Sequence, residues 1–344
     1  MAAVEYVTIG RLVPAIAVSM FWGVVVLFAM TWKIVKLGPR QYFGIKKRDK
    51  LPEVLNDDKL GTHHYARMKR IRLHYVARGP DDKPLMLFLH GFPEFWYSWR
   101  FQLKEFSKEF RTVAVDMRGC GESEKPPYIS DYHMSKLTDD IKEFVEYLGY
   151  SKCILVSHDW GGVVGWMFAA KYPDMVEKFV ACNSPNPIAL LKHIRTSWKQ
   201  FRMVWYMFFF QIPWLPEIFV GSQDLALLSD VFTSLRQKGS HVFGEDDLEA
   251  YKYNFKNFDD RRSAINYYRA SVRYKPEKLA SSKVHCPTLI IWGERDFAME
   301  KASAEQSKQF VDNECTVRFV ENGSHWIQQE EPELVNQYIR EFLQ

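Results

Sequence analysis

The sequence predicts an α/β protein with a mostly parallel, doubly wound sheet, an inserted helical region and an N-terminal membrane helix. Three observations support this prediction. Short apolar runs alternate with helix-like segments, a long aromatic-rich stretch contains no strand pattern, and 21 uncharged residues lie between Arg11 and Lys33. The chain has 344 residues, of which 47% are hydrophobic, so it can bury a large core.

The predicted sheet is built from seven apolar runs of strand length. They are Ile71–Val76, Leu85–Leu89, Thr112–Val115, Cys153–Val156, Lys178–Cys182, Thr288–Trp292 and Thr316–Val320. Helix-like segments, including Met134–Leu148, Gly161–Tyr172, Ala302–Phe310 and Pro332–Leu343, fall between several of them. This alternation is typical of a parallel sheet with helices on both faces. A polar linker is expected over residues 41–67.

The region from about Asn186 to Leu279 interrupts the alternation. It is rich in aromatic residues, such as the run from Trp205 to Phe210, and its pattern indicates helices without strands. We interpret it as an insertion that packs over the sheet. A helical layer with no part in a functional site remains the alternative.

The uncharged stretch from Leu12 to Trp32 would form a helix of about 30 Å at roughly 1.5 Å per residue, which is long enough to cross a bilayer. A signal peptide would have a shorter apolar core behind a basic start. Basic residues instead follow the stretch, at Lys33, Lys36, Arg40, Lys46, Lys47 and Arg48. A single-pass protein with its large C-terminal part in the cytosol is therefore expected.

Charge and cysteine content exclude several classes of function. The net charge of +4 is not gathered into a basic stripe, which argues against nucleic-acid binding. The cysteines Cys120, Cys153, Cys182, Cys286 and Cys315 are widely spaced and are expected to be free thiols in a reducing compartment. No CxxC motif or Cys/His cluster suggests a metal, and we expect no cofactor.

The stretch LVSHDWGG joins a predicted strand to a predicted helix. Small residues, Ser157 and Gly161, lie two positions before and after Asp159. This is the spacing of a nucleophile elbow, a sharp turn in which larger side chains would collide. The alternative is an ordinary turn in which Asp159 caps the helix.

Polar residues follow three other predicted strands. His90-Gly91-Phe92-Pro93 follows the second strand, Asp296 follows the sixth, and His325 follows the seventh. In an open parallel sheet, binding sites form outside the carboxyl ends of the strands. The order along the chain, Asp159, Asp296 and His325, is that of nucleophile, acid and histidine in α/β-hydrolases.

From about Gly61 to the C-terminus, the sequence resembles the α/β-hydrolase-fold epoxide hydrolases, and most of all their membrane-anchored members. The matching motifs are HGFPEFWYSWR, DMRGCGES, SHDWGG, WGERD and GSHW. The resemblance implies an α/β-hydrolase core over residues 61–185 and 280–344, a helical cap over 186–279, and an anchor with a basic flank over 1–45. It also implies a lipophilic epoxide and water as substrates, with membrane lipid contacting residues 12–32.

An aspartate suits attack on saturated carbon because its carboxylate is already ionised at neutral pH. Attack by Asp159 on an epoxide would form an alkyl ester. His325, oriented by Asp296, would then activate the water that hydrolyses the ester. Backbone N–H groups of Phe92 and Trp160 occupy the oxyanion-hole positions of this fold.

The resembling family uses two cap tyrosines to donate protons to the epoxide oxygen. The first corresponds to Tyr206 in WYMFFFQIP, and the second corresponds to Tyr268 in NYYRAS. Tyr206 stands in an aromatic run that could equally be cap core.

Two other functions remain open at the level of sequence. A haloalkane dehalogenase uses the same aspartyl ester, but usually has Asn at the position of Phe92 and lacks the tyrosine pair. A catalytically silent, membrane-anchored binding or scaffolding protein is the other alternative, although it would have no physical need for all three triad residues. An aromatic cap and an anchor favour lipid metabolism at the endoplasmic reticulum, with epoxy fatty acids among the expected substrates.

Overall fold

The computed structural model describes residues 4–233 and 243–344. Within these residues, eight strands form one sheet in the order β1-β2-β4-β3-β5-β6-β7-β8. The strands are β1 (Thr62–Arg67), β2 (Arg72–Arg78), β3 (Leu85–Leu89), β4 (Arg111–Val115), β5 (Cys153–His158), β6 (Val176–Cys182), β7 (Thr288–Gly293) and β8 (Cys315–Val320).

The remaining regular elements of the described residues are mainly α-helices. In order they are α1 (Ile9–Leu37), α2 (Pro39–Phe43), α3 (Arg100–Phe106), α4 (Met134–Tyr147), α5 (Asp159–Lys171), α6 (Pro187–Thr196), α7 (Trp198–Met203), α8 (Trp205–Phe209), α9 (Leu215–Thr233), α10 (Glu245–Asn254), α11 (Phe258–Arg273), α12 (Ala302–Ser307), α13 (Ile327–Glu330) and α14 (Pro332–Leu343). Helix α9 is interrupted at Ser222–Leu225, where the backbone leaves the helical conformation.

In the parallel part of the sheet, the carboxyl ends of the strands all lie on the same side. Strands β3 to β8 pair in parallel, whereas β1 and β2 pair antiparallel at one side. Strands β3, β5 and β7 are buried along their whole length. Hydrophobic burial on both faces explains why these strands are continuous apolar runs in the sequence.

The predicted α/β fold with a mostly parallel sheet is confirmed, and each predicted strand corresponds to an observed one. Strand β1 lies in the stretch that the sequence predicts to be a polar linker. Its residues, THHYAR, alternate between exposed and partly buried positions at the edge of the sheet. An edge strand needs apolar residues on one face only, so its sequence lacks the strong apolar run of a central strand. Helix α2 also falls in the predicted linker.

The chain forms two compact units. The helical unit comprises Met1–Asn56, Lys125–Met134 and Val204–Glu277, and the sheet unit comprises Asp57–Glu124, Ser135–Met203 and Lys278–Gln344. The described residues between 186 and 279 form helices, and the units divide this region near Val204, so α6 and α7 belong to the sheet unit. A functional cap over residues 186–279 stays a prediction.

Two buried arginines, Arg269 and Arg48, form ion pairs in the helical unit. The guanidinium of Arg269 donates to both carboxylate oxygens of Glu217, at 2.5 and 3.0 Å. Arg48 forms ion pairs with Asp224 at 2.7 Å and Glu249 at 2.6 Å. Arg48 follows the apolar stretch together with the other basic residues of its flank. In the structure it is paired with two acidic residues of the helical unit.

Helix α1 contains the apolar stretch that the sequence singles out. An 18-residue window within Leu12–Leu37 has a mean hydropathy of 2.3, and this span is long and apolar enough to cross a membrane by length and composition. The helix is longer at both ends than the uncharged stretch, since residues 9–11 and 33–37 continue it.

We expect Leu87→Ala to destabilise the sheet unit strongly. Leu87 is fully buried in β3 and lies between Val113 of β4 and Leu155 of β5. Removal of a buried Leu side chain leaves a cavity and typically costs about 2–5 kcal/mol. Urea or thermal unfolding of the detergent-solubilised protein would measure this loss.

Lys152→Ala is the matched control for Leu87→Ala. The Lys152 side chain is more than half exposed in its ion pair with Glu177, and such surface pairs contribute roughly 0–1 kcal/mol. Equal losses of stability in the two variants would contradict the assignment of β3 to the centre of the core.

Candidate active site

Asp159 stands at a sharp junction between β5 and α5. The strand ends at His158, the helix begins at Asp159, and Asp159 has a positive φ of 47°. A Cβ atom on Gly161 would lie 2.3 Å from the carbonyl oxygen of Leu89. A Cβ atom on Gly91 would lie 2.4 Å from the Cβ of Asp159. The absence of side chains at Gly91 and Gly161 therefore allows the close approach of β3 to the turn.

The Asp159 carboxylate is buried and is held by two neighbours. Its Oδ1 accepts a hydrogen bond from the backbone N–H of Phe92 at 2.8 Å, and its Oδ2 lies 3.5 Å from Nε2 of His325. Burial by itself would raise the pKa of Asp159. The contact with His325 and the N–H of Phe92 outweigh burial and lower the pKa, so the carboxylate is ionised at neutral pH.

His325 connects Asp159 to Asp296. Its Nδ1 lies 2.9 Å from Oδ2 of Asp296, and its Nε2 faces Asp159. Asp296 is itself fixed by three donors, namely Nδ2 of Asn183 at 2.6 Å and the backbone N–H groups of Ala298 and Met299 at 2.7 and 3.0 Å. With Nδ1 directed at Asp296, the imidazole presents Nε2 toward the Asp159 carboxylate.

Burial lowers the pKa of His325, but the two carboxylates more than offset that effect. The negative charge of Asp296 and the contacts with both Asp159 and Asp296 raise the pKa well above the usual value for histidine. The imidazolium form is therefore favoured while both carboxylates are charged. Loss of the charge on Asp159 would remove one of these causes and lower the pKa of His325.

A second buried histidine and carboxylate lie beneath this triad. Nδ1 of His158 lies 2.7 Å from Oε2 of Glu94, and Nε2 of His158 lies 2.7 Å from the carbonyl oxygen of His325. Glu94 also accepts from the N–H of Gly91 and from the side chains of Gln328 and Gln329. These contacts join the loop after β3 to the elbow and to the segment that carries His325.

The Glu94–His158 pair was not identified from the sequence as part of the site. Both residues lie inside the quoted motifs, HGFPEFWYSWR and SHDWGG, where each is close to a residue with an assigned role. The signal that could have identified them is a titratable residue at or within five residues of the end of each of two central apolar strands.

Of the two predicted oxyanion-hole residues, Phe92 contacts Asp159 and Trp160 follows it in the chain. The N–H of Phe92 already donates to Asp159. Trp160 is the second residue of α5, so its backbone N–H belongs to the first turn, whose donors point out of the helix N-terminus. Partial positive charge at this end favours negative charge on the Asp159 carboxylate.

Tyr206 and Tyr268 come together within the helical unit. Tyr206 lies in α8 and Tyr268 in α11, and their ring centroids are 5.8 Å apart in an edge-to-face arrangement. Phe210 packs against both rings, at 5.9 and 5.0 Å. Tyr268 is buried and Tyr206 is half-buried. The structure thus pairs these two side chains, which are distant in sequence.

Within residues 4–233 and 243–344, no group of three or more His, Cys, Asp or Glu side chains has an arrangement that could hold a metal ion. The cysteines all lie in described residues and have free thiols. Burial raises the pKa of Cys286 to about 12, so this thiol is unreactive at neutral pH.

Comparison with known proteins gives a consistent result. Residues 84–332 match the family described as the alpha/beta hydrolase fold. The chain is 42% identical to human epoxide hydrolase 4, and the match covers 97% of this chain and 95% of the relative. It is also 39% identical to mouse epoxide hydrolase 3, over 97% of this chain and 94% of the relative.

Two further matches come from a nematode and a bacterium. Epoxide hydrolase 1 of Caenorhabditis elegans is 46% identical, over 88% of this chain and 74% of the relative. A mutant epoxide hydrolase from Bacillus megaterium, solved with the product (R)-3-[1]naphthyloxy-propane-1,2-diol, has a TM-score of 0.73 and 34% identity, over 81% of this chain and 99% of the relative. The elbow with its buried Asp-His-Asp arrangement, together with similarity over most of the chain, shows that this protein belongs to the α/β-hydrolase-fold epoxide hydrolase family.

Proposed function

We propose that this protein hydrolyses lipophilic epoxides to vicinal diols through an alkyl ester on Asp159. The observation that carries the proposal is the arrangement of the Asp159 carboxylate, with Oδ1 on the N–H of Phe92 and Oδ2 facing His325. This arrangement provides an ionised nucleophile, a base and an oxyanion donor within one buried site. Membership of a family whose relatives are named epoxide hydrolases supports the same reaction.

In the first step, Oδ2 of Asp159 attacks an epoxide carbon and the carbon–oxygen bond of the ring breaks. The electron pair of that bond goes to the departing oxygen. Tyr206 and Tyr268 donate hydrogen bonds, and one proton, to this developing alkoxide. Two phenol groups whose rings are 5.8 Å apart can direct their hydroxyl groups toward one oxygen atom.

In the second step, water hydrolyses the ester. Alkylation neutralises Asp159 and so lowers the pKa of His325. The imidazolium gives its proton to water, and the phenolate left by the first step takes a proton from water, so both groups are restored before the ester is hydrolysed. His325 removes a proton from water, which attacks the carbonyl carbon of Asp159. The negative charge develops on Oδ1, where the N–H groups of Phe92 and Trp160 stabilise it. The bond between the carbonyl carbon and the alkyl oxygen then breaks, and that oxygen takes the proton from His325 as the diol leaves.

The cap aromatics and the relative with a naphthyloxy diol support a large apolar substrate. Tyr206, Phe210 and Tyr268 form an aromatic cluster in the helical unit. Epoxides of fatty acids have both the length and the apolarity that such a surface favours. A role in lipid metabolism follows from this choice of substrate.

We further propose that α1 attaches the protein to the endoplasmic reticulum, with the sheet unit on the cytosolic side. The length and apolarity of Leu12–Leu37 support membrane attachment. The basic residues Lys33, Lys36 and Arg40 directly follow the uncharged stretch, and such residues favour the cytosolic side of a membrane.

His325→Gln is expected to trap the covalent intermediate. Asp159 can still attack the epoxide, but hydrolysis lacks its base, so the alkyl-enzyme accumulates. Intact-protein mass spectrometry after mixing with an aryl epoxide should show the added mass of one substrate. The adduct should be absent when Asp159 is also replaced by Ala, and an adduct on that double variant would exclude Asp159 as the nucleophile.

Tyr206→Phe and Tyr268→Phe are each expected to slow alkylation, and the double change should nearly abolish it. Loss of a donor to a developing oxyanion typically costs on the order of 10²-fold in rate. Single-turnover kinetics with an epoxide would measure the effect. Phe keeps the ring packing with Phe210, so the variants test the hydroxyl groups alone.

A panel of substrates separates the proposal from the two other functions. A haloalkane needs no proton donor on a leaving oxygen, so release of chloride or bromide by the parent enzyme, with no loss in the Tyr→Phe variants, would favour a dehalogenase. A scaffolding protein would turn over neither class of substrate. Epoxide turnover at the parent rate by the double Phe variant would refute the role of the tyrosines.

The cytosolic location predicts that a C-terminal epitope tag is digested when intact microsomes are treated with protease. No detergent should be required, because the sheet unit would lie outside the vesicle. A luminal marker protein that stays protected in the same sample is the control for vesicle integrity. A C-terminal tag that resists digestion until detergent is added would place the catalytic part in the lumen.

A further inference from the structure

The N-terminal end of α1 is attached to the end of α11. The backbone N–H of Val7 donates to the carbonyl of Arg273 at 2.9 Å, and the N–H of Lys275 donates to the carbonyl of Glu5 at 2.8 Å. These two bonds frame an antiparallel bridge between Tyr6 and Tyr274, whose rings also pack with centroids 4.8 Å apart. The start of α1 is therefore paired with the helical unit by its backbone.

The C-terminal end of α1 is attached to the same unit. Tyr42, in α2, is almost completely buried, and the carbonyl of Gly44 accepts from the N–H of Asp224 at 2.9 Å. The buried side chain of Arg48 then forms ion pairs with Asp224 and Glu249. Both ends of α1 are thus fixed to one folded unit.

Between its ends, α1 lies along the helical unit on one face. Ser19, Val26 and Met30 are buried on this face. The rings of Trp22 and Trp205 pack with centroids 5.3 Å apart. A Cβ atom on Gly23 would lie 2.4 Å from Cδ1 of Ile212, so the helix packs closely at this glycine.

The opposite face of α1 is an apolar stripe that the helical unit leaves exposed. At about 100° per residue, its members cover about half of the circumference of the helix. They are Ile9, Val13, Ile16, Met20, Phe21, Val24, Val25, Leu27, Phe28, Trp32 and Val35, with Phe28 78% exposed. No acid or base interrupts the uncharged residues 12–32, and an apolar stripe of this length is a surface for lipid rather than water.

These attachments conflict with a helix that crosses the bilayer. Helix α1 has 29 residues, or about 43 Å at roughly 1.5 Å per residue, so crossing would put its two ends on opposite sides of the membrane. The helical unit contacts both ends and would have to cross as well. Helix α11, whose end pairs with Tyr6, carries Asp259, Arg262 and Arg273, and each charge at the bilayer centre costs roughly 2.5–3.5 kcal/mol or more.

We propose that α1 lies in the plane of one leaflet, with its apolar stripe among the acyl chains and its other face on the helical unit. This inference rests on the proposed membrane attachment and specifies its form. An in-plane helix buries its apolar face roughly 5–10 Å into the membrane. Because α8 packs on α1 through Trp205, the helix that carries Tyr206 lies close to the lipid from which an apolar epoxide would come.

An N-terminal and a C-terminal epitope tag on the full-length protein distinguish the two arrangements. Protease treatment of intact microsomes should remove both tags, because an in-plane helix leaves both ends on the cytosolic side. A crossing helix would protect one tag until detergent is added, and that result would overturn the proposal while leaving membrane attachment in place.

A disulfide between positions 6 and 274 tests the attachment itself. Tyr6 and Tyr274 form a non-hydrogen-bonded pair of the antiparallel bridge. The Cα atoms of such a pair lie about 4.5 Å apart, which is within the range for a disulfide. The double variant Tyr6→Cys/Tyr274→Cys is oxidised in intact microsomes. Its remaining free thiols are then blocked before the membranes are solubilised.

The double variant should be crosslinked on the order of tenfold more than either single variant, because only it brings two thiols within bonding range. The two single Cys variants control for reaction with the free native thiols. A double variant that crosslinks no more than its controls would overturn the proposal, since position 6 would then be away from position 274.

Flotation with liposomes after carbonate washing separates this inference from the membrane attachment on which it depends. Protein that floats while its tags lie on opposite sides refutes the in-plane arrangement alone. Protein that remains in the soluble fraction refutes both the attachment and the in-plane arrangement. The proposal would be supported if the protein floats with the liposomes, if protease removes both tags, and if residues 6 and 274 crosslink.

Discussion

The close approach of β3 to the turn after β5 is the constraint on which the site depends. Gly161 lies against the Leu89 carbonyl, and Gly91 lies against Asp159, at distances that leave no room for a Cβ atom. At this contact Asp159 has a left-handed backbone conformation, and its carboxylate accepts from the N–H of Phe92. A single tight junction therefore contains both the proposed nucleophile and a hydrogen-bond donor to it.

Charge balance around His325 follows from that geometry. Asp159 and Asp296 face opposite nitrogens of one buried imidazole, so each carboxylate raises the pKa of the ring. In the proposed reaction, esterification of Asp159 would remove one of these charges at the point where a base is required. The pKa of His325 would therefore be lower in the second step than in the first.

Different contacts surround the proposed functional residues in the sheet unit and in the helical unit. In the sheet unit, the Glu94–His158 pair ties the loop after β3 to the elbow and to the backbone of His325. In the helical unit, the buried Arg269–Glu217 pair lies one residue from Tyr268 and α1 packs on Trp205, the neighbour of Tyr206. We interpret both sets as positioning contacts around residues with proposed chemical roles.

The amino-acid sequence by itself determined the strand order along the chain and the identity of Asp159, Asp296 and His325 as residues at strand ends. Apolar runs and small residues around a sharp turn are local signals, so a sequence reveals them directly. Strand β1 was not predicted, because an edge strand lacks a continuous apolar run. The contact between Glu94 and His158 was not predicted, because the two residues are 64 positions apart in the chain.

Only the tertiary structure decided which distant groups meet. It pairs Tyr206 with Tyr268, directs Oδ1 of Asp159 to Phe92, and joins both ends of α1 to one unit. Hydropathy reports how apolar α1 is, but the same apolar residues suit a lipid face or a protein face. Which face each residue joins depends on packing against residues far away in the chain, and no local pattern contains that information.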